Sequence, residues 1–130
     1  MIYGNMDKSV MVVKHDHRPR EDRKFLNQAQ TAYDKKNWSS VMLFNCALCP
    51  QLTPTYVNTA SGLDLHQFKW LGNENQIGEL PAEWNHLVSE YPYSVGAKNA
   101  HYTIGIPPFY PDCDYADEWT AELDRVKVPA

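Results

Sequence analysis

Four constellations in this chain have residue types and spacings that can do chemistry. Cys46 and Cys49 form a C-x-x-C pair. Two thiolates so spaced hold zinc when a second pair or histidines complete the tetrahedron. Cys113, with His66, His86 or His101, offers the remaining ligands. A small zinc-binding domain is therefore one reading, and two reduced thiols closing a strand is the other. A thioredoxin-like dithiol fits poorly, because Pro50 and Leu52-Thr53-Pro54 interrupt the helix that should carry it. His15-Asp16-His17 resembles a metal-ligand run, within a stretch that also holds Lys14, Arg18, Arg20, Arg23 and Lys24. Such a cationic stretch can meet a phosphate, and can equally be a solvated loop. Asp112-Cys113-Asp114 is formally a D-x-D, able to hold a divalent ion. It follows Pro107-Pro108-Phe109-Tyr110-Pro111 rather than an apolar strand, and Asp114 is placed to cap a helix. Finally, His101-Tyr102-Thr103-Ile104-Gly105 puts a histidine at the end of a predicted strand, where open α/β sheets present ligands. A buried, hydrogen-bonded histidine is the alternative.

These residues need elements to position them. Val10–Lys14 is short, β-branched and apolar on both faces, which predicts a buried strand. Ser39–Asn45 predicts a second buried strand, and Asn99–Thr103 a third. Ile77–Leu80 predicts a short extended piece stopped by Pro81. His15–Lys24 reads as a long loop, and Phe25–Tyr33 is ambiguous. Thr53-Pro54 predicts a helix start, since Thr caps and Pro suits the first helical position. Gly62 should end that helix. A last helix should follow Asp114, with Asp117 and Glu118 in its first turn and Arg125 and Lys127 in its last, complementing the macrodipole. Tyr115, Trp119, Leu123 and Val126 would form its apolar stripe. Of the aromatics, 4 are Trp, 8 Tyr and only 4 Phe, which suits interfaces and sugar-binding surfaces as well as a Trp-filled core.

Composition narrows the class. The chain has 130 residues, 43% hydrophobic and 22% charged, enough for one ordinary domain over residues 1–130. Its net charge of −4 is a poor match to a phosphate-backbone binder. The longest apolar runs, such as Val10–Val13 and Val41–Phe44, are far short of a membrane span. The first residues show no charged-then-apolar leader, and three cysteines make an odd number for a disulfide framework. The expectation is a cytoplasmic α/β protein with reduced thiols (host cytoplasm if viral). No Gly-x-Ser-x-Gly elbow and no phosphate-cradling Gly-rich loop is present.

Several segments together resemble the glycogenin-type glycosyltransferases. Lys36–Asn45 resembles the strand that follows their metal site, with its Asn-Ser-Gly-like turn. Leu80-Pro81-Ala82-Glu83-Trp84-Asn85 resembles their Leu-Pro-x-x-Trp-Asn segment, and His101–Phe109 their His-Phe-x-Gly-x-x-Lys-Pro-Trp signature. The order of motifs over residues 9–127 is similar to the C-terminal portion of bacterial and phage members. The resemblance implies a partial GT-A fold, the C-terminal half of a Rossmann-like nucleotide-diphospho-sugar transferase. It implies sugar transfer from a UDP-sugar with Mn2+ or another divalent cation. By resemblance His101 would ligate the metal, Gly105 would approach the diphosphate, and Asn37, Ser39, Asp64, His66 and Gln67 would lie against the sugar.

The chain departs from that pattern at three places, one being that the first βαβ half, which would grip the nucleotide base and ribose, is absent. Pro107-Pro108-Phe109 stands where the family has Lys-Pro-Trp, and residues 1–36 hold no D-x-D. The expectation is a truncated or incomplete transferase, inactive alone. The alternative is a non-catalytic partner module whose uncovered sheet edge pairs with a separate N-terminal half or a second copy.

Overall fold

The computed structural model describes residues 7–16, 23–24, 28–29 and 34–127. Most of the basic stretch after Asp16, including His17, Arg18 and Arg20, lies outside the described residues, as does most of Phe25–Tyr33. The chain divides into two compact units. The first contains described residues 7–16 and 34–84, and the second 85–127 with the 23–24 and 28–29 pairs.

The first unit is built on β1 (Val10–Val12), every residue of which is buried. Side chains alternate faces along a strand, and the two cores follow that alternation. Val10 and Val12 pack with Phe68, Trp70 and Ile77, while Met11 and Val13 pack with Leu80. The predicted both-face-apolar strand is thus observed. Each buried valine stabilises the fold by roughly 1.5–3 kcal/mol. β1 is the centre of a three-stranded sheet, between β4 (Met42–Phe44) and β5 (Ile77–Glu79). It runs antiparallel to β4, with Met11 opposite Leu43, and parallel to β5, with Met11 opposite Gly78.

Two sequence expectations change here. Ser39–Asn45 is not a buried strand. Its start is a 3-10 turn over Trp38–Ser40, and only Met42–Phe44 is extended. All three of those residues are exposed, and among the described residues β4 is an edge strand whose one neighbour is β1. Gly62 does not end a helix. α1 (Pro54–Thr59) stops before it, and Gly62 opens α2 (Gly62–His66). The start of α1 is as predicted, with the Thr53 hydroxyl accepting from the Tyr56 amide at 3.1 Å.

The second unit holds two short pairs of strands. β2 (Arg23–Lys24) pairs antiparallel with β3 (Gln28–Ala29). β6 (His86–Leu87) pairs parallel with β7 (Ala100–His101), so the third predicted strand shrinks to two residues. Leu87, Val88 and Ile104 are buried here, with Asn85, His86 and Glu90. α3 (Ala116–Lys127) is the predicted last helix, with the predicted end charges. It begins two residues after Asp114, and Tyr115 just before it takes a left-handed backbone at φ 60°. Tyr115 is tied down by its own hydroxyl, which donates to the Ser94 carbonyl at 2.6 Å and accepts from the Ser94 amide at 2.9 Å. The stripe is half-buried at Trp119 and Leu123 but runs out at Val126, which is 83% exposed. Among the described residues, no helix is long and apolar enough to cross a membrane.

Candidate functional site

In the first unit the structure joins two residues that lie 27 apart in sequence. The Ser39 hydroxyl sits 2.5 Å from His66 Nδ1. Ser39 is presented by the Trp38–Ser40 turn. That turn is set by Asn37, whose left-handed φ of 64° suits an asparagine. The Asn37 carbonyl accepts from the Ser40 hydroxyl at 2.7 Å. Trp38 anchors the same turn by donating from Nε1 to the His15 carbonyl at 2.7 Å. Lys14 and Lys35 each place Nζ 5.9 Å from its ring centroid, within cation–π range. His66 comes from the last turn of α2.

The other residues expected beside them are occupied locally. Asp64 closes the N-terminus of α2. Its amide donates to the Ser61 hydroxyl at 3.0 Å, and its carboxylate meets Lys69 at 3.0 Å. The Ser61 hydrogen bond first, and then Lys69, hold the Asp64 carboxyl below the usual range. Gln67 spends its amide on the Asp34 carbonyl at 3.4 Å. A Ser–His hydrogen bond is the first element of a nucleophile–base pair. Chemistry also requires oxyanion donors and a pocket for the reacting group. The apolar cavity in this unit, about 170 Å³, is walled by Val41, Leu43, Leu80 and Trp84 and includes neither Ser39 nor His66. The arrangement works as a clasp between the turn and α2.

His101 and Gly105 belong to the second unit. His101 is half-buried on β7, and its Nδ1 is buried without a hydrogen bond among the described residues. Burial pushes its pKa below the ordinary 6.5, so it sits neutral. His86 is buried on β6, with Tyr91 and Tyr115 edge-on to its ring at 6.1 and 5.5 Å. The β6–β7 register pairs Leu87 with His101, which sends His86 and His101 to opposite faces. They therefore do not converge on one ion. Gly105 lies just after, at φ 157°. Asp112 and Cys113 line a second cavity of about 490 Å³ with Ser89, Ile104 and Phe109 among others. Cys113 is in this unit, whereas Cys46 and Cys49 are in the first. Among the described residues, no group of three or more His, Cys, Asp or Glu is placed to hold a metal ion.

Sequence reasoning missed two features. The Ser39–His66 contact depends on α2 folding back onto the turn, which no local spacing reports. The exposed β4 edge was hidden because Met42-Leu43-Phe44 reads as core. Met42 is 41%, Leu43 44% and Phe44 38% exposed.

Comparison with known proteins corrects the family reading. No family model matches the chain, and no solved structure matches it. A curated protein does: Protein CDI of Arabidopsis thaliana is 41% identical over 126 aligned residues, covering 90% of this chain and 48% of that protein. The chain thus spans about half the length of this relative. The relative is not named as a glycosyltransferase and no model of that family matches, so the glycogenin-type resemblance is withdrawn, and the sugar-transfer reading with it. The structure gives a physical reason why short motifs misled. Leu80 is core, Ala82–Trp84 is a 3-10 turn, Asn85 is fully buried and His101 is half-buried. Leu80, Ala82–Trp84 and Asn85 thus each take a place in the core or in a turn. The manganese expectation rested on the resemblance alone.

Proposed function

We propose that this chain is a non-catalytic interaction module that pairs with another polypeptide along β4, the occupant being a second copy of the chain. The observation that carries the reading is the edge of the three-stranded sheet at β4, which no other strand covers among the described residues. The Asn45 amide donates to the Ser9 carbonyl at 2.9 Å, and the Val12 carbonyl is taken by the Leu80 amide on the β5 side at 2.8 Å. Antiparallel pairs alternate between hydrogen-bonded and non-bonded positions. Leu43 therefore points its backbone groups at β1, and Met42 and Phe44 point theirs outward.

Edges are ordinarily blunted by Lys, Pro or a bulge. β4 carries none of these, and its three side chains are apolar, uncharged and exposed. Two copies meeting antiparallel across a two-fold axis through Leu43 would set Met42 of one against Phe44 of the other, each pair exchanging both bonds. Like charges are not brought together by this pairing. The apolar hollow of Val41, Leu43, Leu80 and Trp84 lies beside the edge and can take a side chain from the added strand.

Amide hydrogen exchange tests this residue by residue. The Met42 and Phe44 amides should become protected as protein concentration rises, while Leu43, already bonded to β1, stays protected throughout. Fast exchange at Met42 and Phe44 at every concentration would overturn the proposal.

A further inference from the structure

We propose that Cys46 and Cys49 form a reversible dithiol–disulfide pair, a redox modification site on the turn that follows β4. The proposal is independent of strand pairing at β4 and rests on the geometry of the turn. Cys46–Leu48 is a 3-10 turn capped at its C-terminal end by Cys49, whose amide donates to the Cys46 carbonyl at 3.2 Å. Residues three apart in such a turn are stacked on one side, and their Cα atoms are roughly 6 Å apart. That separation falls within the range a disulfide spans, about 4.4–6.8 Å. The turn is held from both ends. The Leu48 amide donates to the Asn45 carbonyl at 2.9 Å, and the Leu52 amide to the Cys49 carbonyl at 3.1 Å. Closure rotates the two side chains toward each other and releases the hydrogen bonds that the Cys49 thiol makes to the Ser9 and Asn45 carbonyls.

The two thiols are unequal in a way that orders the chemistry. Cys46 is exposed and meets oxidant first. Cys49 is half-buried against the Val10 core, and its thiol donates to the Ser9 and Asn45 carbonyls at 3.3 and 3.2 Å. Burial, and then the neighbouring Cys46, push the Cys49 thiol up, so it stays protonated until it acts as the resolving group. With hydrogen peroxide as oxidant, the Cys46 thiolate attacks one peroxide oxygen and the O–O bond breaks. This leaves a sulfenic acid on Cys46 and, after protonation, one water. The Cys49 sulfur then attacks the Cys46 sulfur, the S–O bond breaks, and the hydroxide leaves with the Cys49 proton as a second water. The cysteine pair loses two electrons, and peroxide gains them. A dithiol reductant reverses the step by thiol–disulfide exchange.

The test is thiol counting with peptide mapping on the folded chain. In the reduced protein all three cysteines, Cys46, Cys49 and Cys113, should alkylate. After limited peroxide treatment only Cys113 should alkylate. The peptide carrying Cys46 and Cys49 should be lighter by two hydrogens, and dithiothreitol should restore it. Cys113→Ser should leave the result unchanged. Cys46→Ser, an exposed and structurally mild change, should abolish the closed form and leave Cys49 alkylatable. The proposal is overturned if Cys46 proceeds to sulfinic acid while Cys49 still alkylates. A disulfide that involves Cys113 or joins two chains, or three thiols surviving peroxide, would also overturn it.

Discussion

Gly78 lies on β5 opposite Met11, and replacing it with alanine tests how closely the sheet is packed around β1. A Cβ at this position would stand 2.9 Å from Met11 Cγ and 2.9 Å from Lys8 Cγ, with Lys8 Cβ at 3.3 Å. Real Cβ atoms do not come so close, and neither Cγ is the free end of its side chain. Met11, only 8% exposed, must change rotamer or the strands must part. Forcing a methyl into such a site costs about 1–3 kcal/mol. Restricting the unfolded chain returns about 0.4–1 kcal/mol. The net expectation is a loss of about 1–2 kcal/mol, lowering Tm by roughly 4–7 °C for a chain of this length. Urea unfolding read by tryptophan fluorescence is a suitable assay, since Trp70 belongs to the neighbouring core. Met11→Ala should relieve the clash, so the double variant should be more stable than the sum of the single losses predicts. An unchanged or raised midpoint for Gly78→Ala, or strict additivity with Met11→Ala, would refute the packing argument.

Two further predictions concern local chemistry. Thr53→Ala removes the hydroxyl that caps α1 and should cost about 1 kcal/mol, with Thr53→Ser restoring most of it in the same unfolding assay. The buried, neutral His101 should make stability pH-dependent in a defined sense. Its folded pKa lies below the ordinary 6.5, so the unfolded chain takes up a proton first as pH falls. Its contribution is complete above pH 6.5 and is lost progressively below it, down through the depressed folded value. His101→Gln should flatten that part of the stability profile, and an identical slope in the variant would contradict the assignment.

Much of the local structure was legible, and the failures share a cause. β1 could be read because a strand apolar at every position must be covered on both faces, and Val10–Val13 is. Thr53-Pro54 marked α1 because capping and proline geometry are local. The Ser61 cap of α2 was also written in the sequence, as a Ser three residues before Asp64, but Gly62 was read as a stop instead. β4 carries the same apolar composition as β1 and so looked buried. Whether such a strand is central or at an edge depends on its neighbours, not on its residues. Asp114 was assigned the cap of α3, but the left-handed turn at Tyr115 moves the helix start past it. The Ser39–His66 clasp joins segments far apart in the chain. The family reading failed for a related reason: its motifs run through buried positions such as Leu80 and Asn85, and short runs that include core residues recur in unrelated folds.

The β4 edge, uncovered among the described residues, carries the functional account, and solution mass tests it most directly. Light scattering behind size-exclusion chromatography, run over a concentration series, should show the 15.0 kDa chain moving toward twice that mass, about 30 kDa. Leu43→Lys puts a charge at the centre of the edge, where two copies would meet, and should return the protein to monomer at every concentration. Val95→Lys, the same charge change at a 92% exposed residue of the second unit, should not. A folded wild-type chain that stays at 15.0 kDa throughout, or a Leu43→Lys variant that dimerises as readily as wild type, would contradict the account.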